Sequence, residues 1–306
     1  MKRWMLTSLI VLLALSMVVG ACAPAAAPEP EDECALKVGM VSDVGGIDDA
    51  SFNENSWKGL EDAQAELGVC SQFIESQAQA DYEKNITEFA EQGYDLIVTV
   101  GFLLGDGTAK MAAEYPDIKF AIVDYAYDPG IPNVVGIVFA TDGAAFMTGY
   151  LAAAWADLQD PDDPGVGYVA GMQIPTVEIF VAGHAAGIAY YNEKYGKDVG
   201  FSGTYVGDFE AADEGKTQGL SLIDEGADVI FGIGGKTGNG GITAAKERGK
   251  WGIGVDVDQY NTLPNGGVGM APFHDFEGQI PEQIVADLAE IEEALIAGTI
   301  DTGWEG

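Results

Sequence analysis

Short apolar runs alternate with amphipathic segments along most of the chain. Leu36, Val38, Met40 and Val41 predict a buried strand over 36–41, and Phe52, Trp57, Leu60, Ala63 and Leu67 fall on one face of a helix over 51–67. The alternation continues with strands over 71–75 and 96–100, helices over 80–91 and 107–115, and strands over 119–123 and 134–138; Pro116 ends the second of those helices. It then restarts. A long Ala-rich helix over 144–158 leads to strands over 166–170, 198–205, 228–231 and 251–255, separated by helices over 177–195, 211–225 and 240–248. Short apolar strands separated by helices imply parallel sheets covered on both faces. Two successive halves of similar size predict an α/β chain of two doubly wound lobes.

The first 33 residues break this rhythm. Lys2 and Arg3 precede an apolar run over 5–19, too short for a comfortable membrane span but suited to a signal peptide. Val19, Gly20 and Ala21 stand directly before Cys22, in the manner of a bacterial lipobox. Residues 1–21 are therefore expected to be a signal peptide and Cys22 a lipidated N-terminus. Residues 22–33, rich in Ala, Pro and acids, form a solvated tether. Cell-membrane attachment by lipid, on the extracytoplasmic side, follows from that reading.

Charge narrows the partners. With 14 basic and 49 acidic residues and a net charge of −35, the surface repels nucleic acid and disfavours a strongly anionic ligand. Cys34 and Cys70 each stand just before one of the first two strands, which are neighbours in a doubly wound sheet. An extracytoplasmic chain should join them in a disulfide.

Catalytic signatures are sparse. His184 and His274 are far apart in sequence, no residues have zinc-ligand spacing, and neither a Gly-x-Ser-x-Gly elbow nor a phosphate-binding Walker loop is present. No enzyme activity, metal or cofactor is expected. Asp43, Asp124 and Asp256 each follow a strand, at the edge where open α/β sheets bind ligands. Each alone reads equally well as a cap or turn residue, whereas three in one layer point to a shared cleft. The glycine-rich loop over 232–241, including Gly235, falls on the same edge and reads as a ligand-facing loop or as a tight turn.

The stretch 42–60, with Ser42, Asp43, Asp48, Asp49, Phe52, Asn53, Trp57 and Leu60, resembles the signature of the basic membrane protein (BMP) family of substrate-binding lipoproteins, the PnrA-like group. Further similar stretches follow in order over 120–124, 145–153, 169–175 with Phe180, 205–209, 226–230 and 253–259. The resemblance implies a type I periplasmic-binding fold whose two lobes are joined by a hinge. The expected lobes are 34–141, with 257–273 returning to the first, and 142–256, with part of 274–306.

It also implies capture of a purine nucleoside by a monomer, for delivery to a membrane permease driven by an ATPase. A ligand sensor on the same fold is the alternative role. Phe52 and Phe209 match the family's stacking aromatics, Asp43, Asn53 and Asp124 its base-recognising groups, and Asp256 the acid for the ribose hydroxyls. His274 stands where the family has a lysine. An imidazole donates to a sugar oxygen without a fixed charge at neutral pH, which opens a free nucleobase or a flavin-like heterocycle as the alternative ligand.

Overall fold

The computed structural model describes residues 34–258, 273 and 278–304. The expected signal peptide, the lipidation site Cys22 and all of the tether lie outside the described residues, as do His274 and most of the expected return over 257–273. Leu36–Gly306 forms one compact unit containing two parallel sheets.

The first sheet has strands β1 (Lys37–Val41), β2 (Cys70–Ile74), β3 (Leu96–Val100), β4 (Lys119–Val123) and β5 (Val134–Ile137), in the order β2-β1-β3-β4-β5. Helices α1 (Phe52–Leu67), α2 (Tyr82–Glu91) and α3 (Gly105–Glu114) connect them. Every strand pair is parallel, with Lys37 opposite Cys70 and Val38 opposite Leu96. Its core is built from Val41, Ile86, Phe89, Ile97, Leu104, Phe120 and Ile122, all essentially buried. Apolar residues on alternate sides of the central strands account for this, because helices bury both faces of the sheet.

The second sheet repeats the plan with β6 (Gly165–Ala170), β7 (Gly200–Tyr205), β8 (Val229–Ile233) and β9 (Trp251–Ile253), in the order β7-β6-β8-β9. Its helices are α4 (Thr141–Gln159), α5 (Pro175–Tyr195), α6 (Ala212–Asp224) and α7 (Gly235–Arg248). A further helix, α8 (Glu282–Ile296), seats Ile284, Leu288 and Ile291 in the core formed by α4 and α5. The alternating pattern thus yields two doubly wound α/β lobes with matching strand orders. Strand and helix limits fall within a few residues of the sequence reading at most elements, the usual uncertainty of element ends.

Helix α8 is not among the expected elements, and one expected loop is replaced by helix. The segment 235–239 is the beginning of α7, so the expected glycine-rich loop over 232–241 is largely helix. Glycine disfavours helix by roughly 1 kcal/mol per residue relative to alanine. Here packing overrides propensity. A Cβ on Gly240 would stand 2.1 Å from the Ala212 carbonyl oxygen, so only glycine lets α7 approach α6 this closely.

Buried charge is paired where it holds elements together. Asp287 on α8, 1% exposed, accepts from the hydroxyls of Tyr150 and Tyr195 at 2.5 Å each and meets the Lys194 ammonium at 2.8 Å. Burial opposes its ionisation, but these partners and Gln283 hold the carboxyl well below the usual carboxylate range. Cys34 and Cys70 are both disulfide-bonded.

Candidate functional site

Both sheets reverse their winding direction between their first and third strands, β1 and β3 in one lobe, β6 and β8 in the other. Loops leaving the carboxyl ends of strands at such a reversal flank a crevice. Asp43 follows β1 and Gly101 follows β3; Gly171 follows β6 and Gly234 follows β8. Loops from both lobes meet around a cavity of about 520 Å³, its open mouth included.

The first lobe supplies a buried polar network. One Asp43 carboxylate oxygen accepts from the Gly45 N–H at 2.9 Å and from Asn53 Nδ2 at 2.8 Å. Asp49, 1% exposed, accepts from the N–H groups of Ser51, Asn53 and Glu54 at 3.0, 2.9 and 3.1 Å, and from Asn53 Nδ2 at 3.2 Å. It therefore satisfies the free donors at the start of α1, which Ser51, the residue at the helix boundary, does not bond through its side chain. Phe52 and Asn53 are fixed in the first turn of that helix. Asn53 Oδ1 is buried without a protein partner and belongs to a residue that lines the cavity.

The second lobe supplies a mainly apolar wall of Ile174, Val177, Phe180, Phe209 and Ile233. Phe209 is 8% exposed. Its loop is held by Thr237, whose hydroxyl donates to the Asp208 carbonyl at 2.6 Å and accepts from the Ala211 N–H at 3.0 Å. The ring lies directly against Gly171, where a Cβ would come within 2.3 Å of it.

Asp124 and Asp256 follow β4 and β9, corresponding strands of the two sheets, and both line the cavity. Both have left-handed backbone, with φ of 63° and 70°. Among the described residues the third non-glycine with positive φ is Ala50, beside the same site, at 52°. Such conformations cost about 1–3 kcal/mol each and cluster at functional sites. Burial pushes the Asp43 and Asp124 carboxyls up to about 6. Desolvation by the protein atoms packed around its carboxyl pushes Asp256 up to about 7, although the residue is exposed; neighbouring Asp49 and Asp124 act in the same direction, and a bond from Ser51 acts against it. The Asp256 side chain keeps an exposed face to water, which moderates the desolvation.

The structure thus brings together Asp43, Phe52, Asn53, Asp124, Phe209, Gly235 and Asp256 on one cavity. His274 lies outside the described residues. Asp49, Phe102, Thr176 and Phe180 also line the site. Phe102 could have been found from its place just after Gly101, at the carboxyl edge of β3. Asp49 and Thr237 had no such signal, because their importance rests on bonds to neighbours. Among the described residues no Lys, Arg or His lines the cavity, and no group of three or more His, Cys, Asp or Glu is placed to hold a metal ion. No described helix is long and apolar enough to cross a membrane.

Residues 36–269 match the family model of the PnrA-like ABC transporter substrate-binding proteins. The chain belongs to this family. Among curated relatives, an ABC transporter nucleoside-binding protein, BmpA, of Lactococcus lactis is 30% identical over 271 residues, covering 84% of this chain and 74% of the relative. An uncharacterized lipoprotein of Pyrococcus furiosus is 33% identical over 266 residues, covering 85% and 66%. Among solved structures, an ABC transporter solute-binding protein of Aeropyrum pernix superposes with a TM-score of 0.69 at 30% identity, covering 87% of this chain and 72% of that one. The PnrA-like chain is thus a solute-binding protein of a transport family, with the type I two-lobed fold that its sequence resemblance implied.

Proposed function

We propose that this PnrA-like protein captures a purine nucleoside outside the cytoplasmic membrane and passes it to a membrane permease coupled to an ATPase. The observation that carries this reading is the pairing of aromatics from both lobes with a polar lining rich in acceptors. Phe52 and Phe209 offer rings to the two faces of a planar base, each contact worth roughly 1–3 kcal/mol by analogy with base stacking. Asp43, Asn53 and Asp124 accept from ring and exocyclic N–H groups, and Asp256 accepts from a vicinal diol. A phosphate would meet several carboxylates and no described cation on the cavity wall, so nucleotides are rejected. The protein acts as a monomer without catalytic turnover, on a lipid anchor at Cys22, with Cys34 joined to Cys70.

Calorimetry with guanosine, inosine and adenosine, set against their free bases and monophosphates, tests the assignment. Nucleosides are expected to bind most tightly and monophosphates not at all. Bases that bind as tightly as nucleosides withdraw the ribose role of Asp256 and make the ligand a nucleobase. Absence of binding by any of them moves a flavin-like heterocycle to the front. Intact-mass analysis and non-reducing peptide mapping of membrane-extracted protein should find a diacylglyceryl Cys22 and a Cys34–Cys70 peptide. A lipid-free start elsewhere, or free thiols, overturns those assignments.

A further inference from the structure

Three nearly consecutive residues of the first lobe reach across to the second. Asp48 Oδ1 meets the Lys236 ammonium at 2.6 Å. The Asp49 carbonyl accepts from Asn239 Nδ2 at 2.8 Å. The Ser51 hydroxyl donates to Asp256 Oδ2 at 2.5 Å. The left-handed backbone of Ala50 sits in the middle of this run.

The segment is firmly held on its own side. The Asp49 carboxylate caps α1 through three backbone N–H groups, and Ile47 N–H donates to Glu75 Oε1 at 2.8 Å. On the opposite side, Lys236 also meets Glu210 Oε2 at 2.8 Å, next to Phe209. Its ammonium therefore ties the loop that leads to Phe52 to the loop that carries Phe209.

The position of this lysine is not explained by its helix. It lies in the first turn of α7, where the helix dipole disfavours a cation. Among the described salt bridges it is the one cation that joins the two lobes and the one that engages two acids. Lys236 does not line the cavity.

We infer that the segment 48–51, with Lys236, Asn239 and Asp256, forms a clasp that holds the lobes shut, and that Lys236 is a positioning residue for retention of the ligand. Asn239 and Asp256 give the clasp direction, and the two-acid pairing of Lys236 gives it an electrostatic strength that salt weakens. A residue acting in this way slows release without speeding capture, because its contacts must part before a ligand enters or leaves.

The test uses the full chain as Lys236→Met, Lys236→Arg and the exposed-partner variant Asp48→Asn. Small-angle scattering of protein without added ligand is expected to give a larger radius of gyration for Lys236→Met and Asp48→Asn than for wild type. Lys236→Arg should restore the compact value, and high salt should expand wild type toward the Met variant. Stopped-flow measurement with guanosine as the probe should show release about fivefold faster in Lys236→Met, the size a partly exposed ion-pair network supports. Its association rate should equal or exceed that of wild type. Equal radii for all four proteins at low and high salt overturn the clasp, as does a loss confined to association. The release arm rests on the nucleoside reading. If guanosine does not bind wild type, that reading fails while the scattering arm still decides the clasp.

Discussion

The two walls of the cavity are made in different ways. On the first lobe, Asp43, Asp49 and Asn53 line the cavity through a local hydrogen-bond network that organises the start of α1. Phe52 stands on that turn, half-buried and outside the lobe's main apolar cluster. On the second lobe, Val177, Phe209, Ile233 and Val255 line the cavity and are also members of a buried apolar cluster. One wall lines the cavity without being core, whereas the other is core that also faces the cavity. The difference teaches that the same residue type, phenylalanine, lines the cavity from outside the core at 52 and from within it at 209.

The largest expected effect tests the second wall. Phe209→Ala should lower unfolding free energy by about 3–5 kcal/mol, the range for deleting a buried phenylalanine, and weaken guanosine binding as well. Denaturant midpoints of the empty protein, read beside calorimetry, measure both. A Phe209→Ala protein as stable as wild type breaks the comparison by removing that ring from the core.

Phe52→Ala should behave differently. Guanosine affinity is expected to fall at least tenfold, about 1.4 kcal/mol, while the denaturant midpoint stays nearly constant. A large loss of stability with intact affinity would place Phe52 in the core and erase the contrast between the walls.

The smallest effect is expected from pH. Asp43 and Asp124 have carboxyls raised from 3.8 to about 6 in the fold. Between those values the folded chain holds protons that the unfolded chain has lost. The stability these groups contribute is therefore fully present in acid and lost as pH rises through about 6. Binding runs the opposite way, because N–H donors pair best with ionised carboxylates. Guanosine affinity should fall severalfold as pH is lowered from about 8 to about 5. Calorimetry across that range reads it, and a flat profile would mean that the first wall does not recognise through ionised acids.

Much of the site was legible because the physics behind it is local. Asp43, Asp124 and Asp256 follow predicted strands, and the rule that crevices form at the carboxyl edge of parallel sheets turns that place into a hypothesis. Phe52, Asn53 and Phe209 were marked by the family resemblance. Asp49, by contrast, stood in the sequence as one acid of a pair, Asp48 and Asp49. Its role comes from four donors that only the folded loop directs onto one carboxylate. Thr237 is comparable: the bonds that fix the Phe209 loop span 26 and 29 residues.

The sequence by itself determined the alternation of strands and helices, the restart that makes two lobes, the acidic character and the strand-end acids. These follow from side-chain periodicity and from chain order, which need no knowledge of distant contacts. Tertiary structure alone decided that residues 235–239 are helical, since close approach to α6 outweighs the helix cost of glycine. It also decided which wall is core and which is network, and that Lys236 reaches Asp48 across the junction of the lobes. Those outcomes depend on which surfaces meet in space, a quantity that pairs residues far apart along the chain and leaves no periodic trace within it.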